Sequence, residues 1–334
     1  MQVSEIQKRA QDLDQARRIR IVKPDQVDFD KYLKANDVSQ KVRDATSLIE
    51  ELREELINPK EELSNTMPWT KTESSFRFRP GEVTIYAGGN GGGKSMITGQ
   101  IALGLIKQGQ RVMIASFEMK PQRTLYRMLR QFAGENIDKP MISGRGDYIT
   151  ALVDRLQTFS FGKLWMYDQQ GTVTSQQVIA VSRYSAVELD VQHIFIDSLM
   201  KCVAGEDDYN AQKAFVDELT ALARDQNIHI HLIHHIRKLV SEEIKPNKND
   251  IKGSGSITDQ VDNVLMVWRN KKKEHDAQAS GNIDTKTPDA LLMCEKQRNG
   301  EGEEWYSLWY HKESQQFVDN FDSVPMAFDS GGRF

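Results

Sequence analysis

The sequence predicts an α/β fold: a mostly parallel, twisted sheet flanked by helices, preceded by a short helical segment. Three observations predict it. The stretch Gly88-Gly89-Asn90-Gly91-Gly92-Gly93-Lys94-Ser95 fits the pattern G-x-x-x-x-G-K-[ST] and stands between an apolar strand and a helix. From Pro80 onward, strand patterns alternate with helix patterns, as in a parallel sheet covered on both faces. A second apolar strand, His193-Ile-Phe-Ile-Asp197, ends in an aspartate.

A length of 334 residues suits one large domain with appendages. The net charge is −4 and the pI about 6.0, so any nucleic-acid contact must come from a local basic patch. Cys202 and Cys294 lie far apart in no metal-ligand spacing, which suits buried thiols in a reducing compartment. The N-terminus lacks an apolar signal core. No apolar run approaches the roughly 20 residues of a membrane span. A soluble, cytoplasmic protein with no membrane partner is expected.

Residues 1–65 are polar and charged, without strand patterns. Ser4–Arg20 fits a charge-rich helix, broken by Lys23-Pro24. A second helix over 39–56 puts Val42, Ala45, Leu48, Ile49, Leu52 and Leu56 on one face. That face seeks cover on the main domain or on a neighbouring subunit. Asn65–Arg79 reads as a linker holding Pro68 and Trp69. Strands are then predicted at Glu82–Ala87, Arg111–Phe117, Leu164–Tyr167, His193–Asp197, Ile228–His234, Asn263–Trp268, Ala290–Lys296 and Trp305–Tyr310. Helices are predicted at Lys94–Lys107, Pro121–Ala133, Tyr148–Phe159, Ser175–Glu188 and Ala211–Gln226. The late strands have short connections and suit antiparallel edges. The tail from Phe317 mixes Asp, Ser, Gly and Phe and reads as loose.

The glycine loop lets backbone N–H groups converge on phosphates at a helix N-terminus. Gly88, Gly89, Asn90, Gly91, Gly92, Gly93, Lys94 and Ser95 are the nucleotide-binding candidates, with Lys94 reaching the β- and γ-phosphates. Ser95 and Asp197 are the Mg²⁺ candidates, Asp197 because its strand follows the loop by about a hundred residues. Glu118, in Ser116-Phe-Glu-Met119, closes the next strand on the ligand face of the sheet and suits a general base or water-positioner.

In Ile228-His-Ile-His-Leu-Ile-His-His-Ile-Arg237, His229 and His231 share a face but lack companion ligands, so they read as structural. His234 and His235 reach the strand end, where one of them can report on the γ-phosphate. The polar stretch that follows carries Arg237, Lys238, Lys245, Lys248 and Lys252, then Gly253, Ser254 and Gly255, a pattern for nucleic-acid phosphates. Lys296 and Arg298 end a late strand two residues apart, with no evident acidic partner between them. Such a cationic pair suits transition-state charge on a phosphate, including one bound to an adjacent subunit.

Taken together and in order, these motifs resemble the RecA-like motor domain of DnaB-type replicative helicases, including phage primase-helicases and the mitochondrial Twinkle helicase. The resemblance spans about Gly81 to Tyr310. It implies that Glu118 is the catalytic glutamate, His235 the γ-phosphate sensor, and Arg298 with Lys296 a finger acting in trans. It also implies a ring homo-hexamer that hydrolyses ATP or another NTP and moves 5′ to 3′ on single-stranded DNA. Six copies of the Lys238–Gly255 loop would line its pore. The helix over 39–56 would clasp the neighbouring subunit. The expected organisation is a helical segment at 1–65, the motor at 66–318 and a flexible acidic-aromatic tail at 319–334. Residues 1–65 are too short for a primase and hold no cysteine, so primase is expected on a separate chain. The tail is similar to polymerase-docking tails of phage relatives. Competing expectations are a RadA-like recombination ATPase, and a non-unwinding RecA-fold regulator or helicase loader.

Overall fold

The computed structural model describes residues 20–33, 49–50, 53, 57, 65–138, 145–169, 173–203, 205, 208–253, 255–282, 284–300 and 302–329. The expected helix over Ser4–Arg20 and most of the one over 39–56 lie outside the described residues, as does Ser254. The chain passes through β1 (Arg20–Val22), α1 (Phe29–Leu33), β2 (Val83–Gly88), α2 (Lys94–Lys107), β3 (Val112–Ser116), α3 (Pro121–Ala133) and α4 (Arg145–Phe159). It continues through β4 (Leu164–Tyr167), α5 (Ser175–Leu189), β5 (His193–Asp197), α6 (Tyr209–Gln226), β6 (His229–His235) and α7 (Gly255–Gln260). It ends with β7 (Asn263–Arg269), α8 (Lys271–Ser280), β8 (Ala290–Gln297), β9 (Trp305–His311) and β10 (Gln316–Val318).

The strands form one sheet in the order β1-β4-β3-β5-β6-β2-β7-β8-β9-β10. Every pairing from β1 to β7 is parallel, and the last three are antiparallel. Parallel strands buried on both faces read as continuous apolar runs, and β2, β3, β4 and β5 are buried along their whole length. One core lies between the sheet and α1, α5 and α6; the other lies between the sheet and α2, α3 and α4. Each large apolar side chain in them contributes about 1.5–3 kcal/mol through removal from water.

Local chemistry sets the helix ends. Thr174 and Gln177 form a reciprocal capping box at the start of α5, with bonds of 3.2 and 3.1 Å. Asp208 accepts from the Ala211 amide at 2.9 Å to start α6. Asn227 then ends α6 in the left-handed conformation, at φ 51°.

Four features correct the sequence expectations. Arg20–Val22 is a strand paired in parallel with β4, although the first 65 residues show no strand pattern. The polar helix α8 stands between β7 and β8; Asn270 caps it by accepting from the Lys273 amide at 3.1 Å. The segment read as a linker is core: Met67, Trp69, Phe76 and Phe78 are buried, and the Trp69 indole N–H donates to the Phe317 carbonyl at 2.8 Å. The tail is packed as far as Asp329, with Phe328 buried and Arg155 making bonds of 3.0 and 2.8 Å to the Asp329 carboxylate. Its last residues, 330–334, lie outside the described residues.

His193, His229 and His231 are buried beneath Phe78 and bonded within the core. His229 Nε2 meets the Thr84 hydroxyl at 2.8 Å, and His231 Nδ1 meets the Tyr86 hydroxyl at 2.9 Å. His193 Nδ1 and His231 Nε2 are 3.0 Å apart. Burial pushes His229 down to about 4 and the other two well below the ordinary histidine range. Among the described residues no cluster of three His, Cys, Asp or Glu side chains is arranged to hold a metal. No helix among them is long and apolar enough to cross a membrane. Cys202 and Cys294 are free and buried, and burial raises both thiols, Cys294 to about 12.

Candidate nucleotide site and loop

The C-terminal ends of β2, β3, β5 and β6 open onto a cavity of about 880 Å³. Asn90–Met96, Phe117–Met119, Asp197 and His235 line it. The glycine loop crosses from β2 into α2 there. Gly93, the N-cap of α2, has φ 91°. A Cβ at Gly93 would also stand 3.1 Å from the Phe317 ring, so the position requires glycine twice over.

Lys94 folds back onto its own loop, donating to the Gly88 and Gly89 carbonyls at 2.9 and 3.0 Å. Burial lowers its pKa, and the charges of Asp197 and Glu118 oppose that shift. Ser95 Oγ donates to Asp197 Oδ2 at 2.9 Å. Asp197 is 8% exposed, and burial first, then the Glu118 charge, raises its pKa. A raised carboxyl beside a hydroxyl is a hard oxygen pair short of positive charge. It fits Mg²⁺, which binds through one or two protein oxygens plus waters and substrate phosphates.

Glu118 accepts from the Ser198 hydroxyl at 2.8 Å and from His235 Nε2–H at 3.4 Å, both at Oε1. The His235 bond, which outweighs burial, and the Ser198 bond hold the carboxyl down at about 2. Glu118 is therefore a carboxylate throughout the working pH range, which suits orienting a water better than holding its proton. Thus β2, α2, β3, β5 and β6 bring Gly88–Ser95, Glu118, Asp197 and His235 together.

The sequence did not single out Ser198, Arg127, Lys201 or Arg269. The last three line the cavity with Lys94 and Lys252. Arg269 donates to the Gly91 carbonyl at 3.2 Å and pairs with Glu274. Its signal was available, since it ends a parallel strand on the ligand face. Arg127, two helical turns into α3, carried none.

Lys296 and Arg298 stand elsewhere. Arg298 N–H donates to the Asp262 carbonyl at 2.9 Å, and the Asp262 amide donates to the Val83 carbonyl at 3.1 Å. The pair thus sits at the start of β2, on the order of 16 Å along the strand from the glycine loop. Nor is it without an acidic partner: Arg298 Nη1 bonds Asp262 Oδ1 at 2.8 Å. Lys296 Nζ caps the end of α7, donating to the Thr258, Asp259 and Val261 carbonyls at 2.8–3.0 Å. Asn299 donates to Glu82 Oε1 at 2.7 Å and fixes the turn.

The polar loop after β6 is a hairpin-like excursion whose feet pair. Ile236 bridges Ile251, and the Arg237 amide donates to the Asp250 carbonyl at 2.8 Å. Of its predicted phosphate contacts, Arg237 is held by Asp250 and the Asn249 carbonyl. Lys245 lies over Trp268 and Trp305, at 5.8 and 5.4 Å from their ring centres. Lys248 donates to the Glu295 carbonyl at 3.2 Å. Lys238 is exposed. Lys252 and Gly253 are half-buried at the returning foot, and Gly255 begins α7.

One solved structure, of an isolated ATPase domain, superposes on this fold with a TM-score of 0.68 at 16% identity, covering 83% of this chain and 99% of that one. A DnaB-like replicative helicase, described with its interactions with primase, gives a TM-score of 0.66 at 15% identity, covering 83% of this chain and 67% of its own. At those identities the likeness shows the fold. The family model for the DnaB-like helicase C terminal domain matches residues 74–319, which hold the glycine loop, Glu118, Asp197, His235 and Arg298. The chain therefore belongs to the DnaB-like helicase family and is an NTP-hydrolysing helicase of DNA replication.

Proposed function

We propose that six copies form a ring that hydrolyses Mg-ATP at subunit interfaces, moves 5′ to 3′ on single-stranded DNA, and unwinds duplex. The observation that carries the ring is the position of Arg298 and Lys296. They stand at the far end of the sheet from their own glycine loop, on a turn fixed by Asp262 and Glu82. A rigid cationic pair that cannot reach its own phosphates is suited to those of the next subunit. The polarity and the unwinding rest on family membership alone.

In this reading Lys94 exchanges the Gly88 and Gly89 carbonyls for the β- and γ-phosphates. Ser95 and Asp197 would hold Mg²⁺, which when bound neutralises charge on those phosphates. Glu118, with Oε1 held by Ser198 and His235, turns Oε2 to the attacking water. His235 then exchanges part of its bond to Glu118 for the γ-phosphate. Arg298 of the neighbouring copy meets the charge that develops on the transferred group. The loop over 237–255 carries the change to DNA, with Lys238 its least committed cation. Primase and polymerase would be separate chains docking on this one.

The test is strand displacement from a fork with a 5′ tail. ATP-dependent displacement is expected, and a fork with only a 3′ tail should remain intact. Hydrolysis without displacement of either fork would replace this reading with a translocase, regulator or loader.

A further inference from the structure

Two consecutive histidines end β6, and they serve different sides of the sheet. His235 enters the nucleotide cavity and bonds Glu118. Strand geometry turns His234 to the opposite face, where it is 0% exposed. There its Nε2–H donates to the Lys252 carbonyl at 2.5 Å. The Lys252 amide in turn donates to the His235 carbonyl at 2.9 Å. One residue of the returning foot is thus bonded to both histidines, by a side chain on one and the backbone of the other.

Burial pushes His234 down to about 4, so the ring is neutral and has one N–H. The bond to Lys252 fixes that proton on Nε2. Nδ1 remains buried with no hydrogen-bond partner among the described residues. A buried imidazole with one acceptor unused is a costly way to fill space that a leucine would fill without loss. The bond to Lys252 is what the imidazole adds. The next residue, Gly253, has φ 117°, and a Cβ there would stand 2.7 Å from Gln212 Oε1 and 2.9 Å from Ile257 Cδ1. The foot is therefore seated tightly between β6, α6 and α7.

We propose that His234 is a positioning residue that latches the returning foot of the 237–252 loop to the nucleotide-sensing strand, coupling the loop to the cavity through adjacent residues. This rests on the helicase reading above. A displacement of His235 on nucleotide binding is carried to Lys252 by two bonds at once. Without His234, one backbone bond remains and the foot moves independently.

The experiment uses the full chain in its assembled state, with His234→Leu and His234→Gln, whose amide again offers a donor. In the leucine variant, stimulation of ATP hydrolysis by single-stranded DNA should fall at least about fivefold, within the usual range of coupling energies. Hydrogen exchange at the Lys252 amide should rise about tenfold or more, while the Leu232 and Ile233 amides stay protected. The glutamine variant should recover at least half of both effects. Wild-type stimulation in the leucine variant, or unchanged exchange at Lys252, overturns the proposal. So does faster exchange along all of β6, which would make His234 a core residue only. Wild-type protein that DNA does not stimulate overturns the helicase reading and the coupling with it, and the exchange measurement still decides the latch.

Discussion

Ser198 and His235 converge on one oxygen of Glu118, at 2.8 and 3.4 Å. This shared grip keeps the carboxyl ionised, near a pKa of about 2. Glu118 is charged above that value, so it adds no acid limb to the hydrolysis rate between pH 4 and 7. Ser198→Ala removes one of the two donors, and the acid limb should move to higher pH. Glu118→Gln should lower kcat by roughly 10²–10⁴-fold with nucleotide affinity retained. A pH–rate profile of the three proteins checks this. An acid limb at the same pH in wild type and Ser198→Ala would mean that the bond does not set the charge of Glu118.

Arg298→Ala should reduce hydrolysis by about 10³-fold or more and leave nucleotide binding largely intact, as loss of a trans-acting arginine does. Mixed with wild type, it should depress activity more steeply than its mole fraction. A linear fall would show that each subunit completes its own site. Asp262→Asn gives a second measure: it weakens the anchor of Arg298 and should lower kcat with little change in KM.

The glycine loop, Glu118, Asp197 and His235 were legible because each is local: a strand, its end, and the residue just past it. The bounds of α2 and α3 were legible for the same reason, since a glycine or proline starts each and polar residues end each. Other features depend on distant partners. Nothing near Trp69 announces the Phe317 carbonyl that its indole finds. The Asp262 that pairs with Arg298 stands 36 residues away in sequence. Val22 reads as a residue in a charged segment until β4 is placed beside it. Helix α8 has no apolar face to show, because none of its residues is buried.

The buried histidines make the protein sensitive to acid. His193, His229 and His231 are neutral when folded and gain protons below about 6.5 when unfolded. The unfolded state then binds more protons, so stability should fall as pH drops from 6.5 toward 4. The slope should reach about 1.4 kcal/mol per pH unit for each histidine, or about 4 for the three. Urea midpoints at pH 7.5, 6 and 5 test this. A flat series would mean that the three rings accept protons in the folded state.

Lys238 should contribute more to DNA binding than its neighbours in the loop. Lys245 lies against two tryptophans, and Lys248 is bonded to a carbonyl of β8. Lys238→Ala should weaken single-stranded DNA binding at every sequence and flatten the salt slope by about 0.7. Titrations at four salt concentrations check it. Equal losses from Lys238→Ala and Lys245→Ala would show that the tryptophan contacts give way on binding.

The two cysteines have a practical consequence. Both thiols are buried and shifted away from the reactive thiolate, so a maleimide should pass them by. The native chain is then already blank for site-specific labelling. Val240, fully exposed on the loop after β6, is the natural place for one introduced cysteine. A fluorophore there would report loop position turnover by turnover, without the background that usually forces a cysteine-free variant.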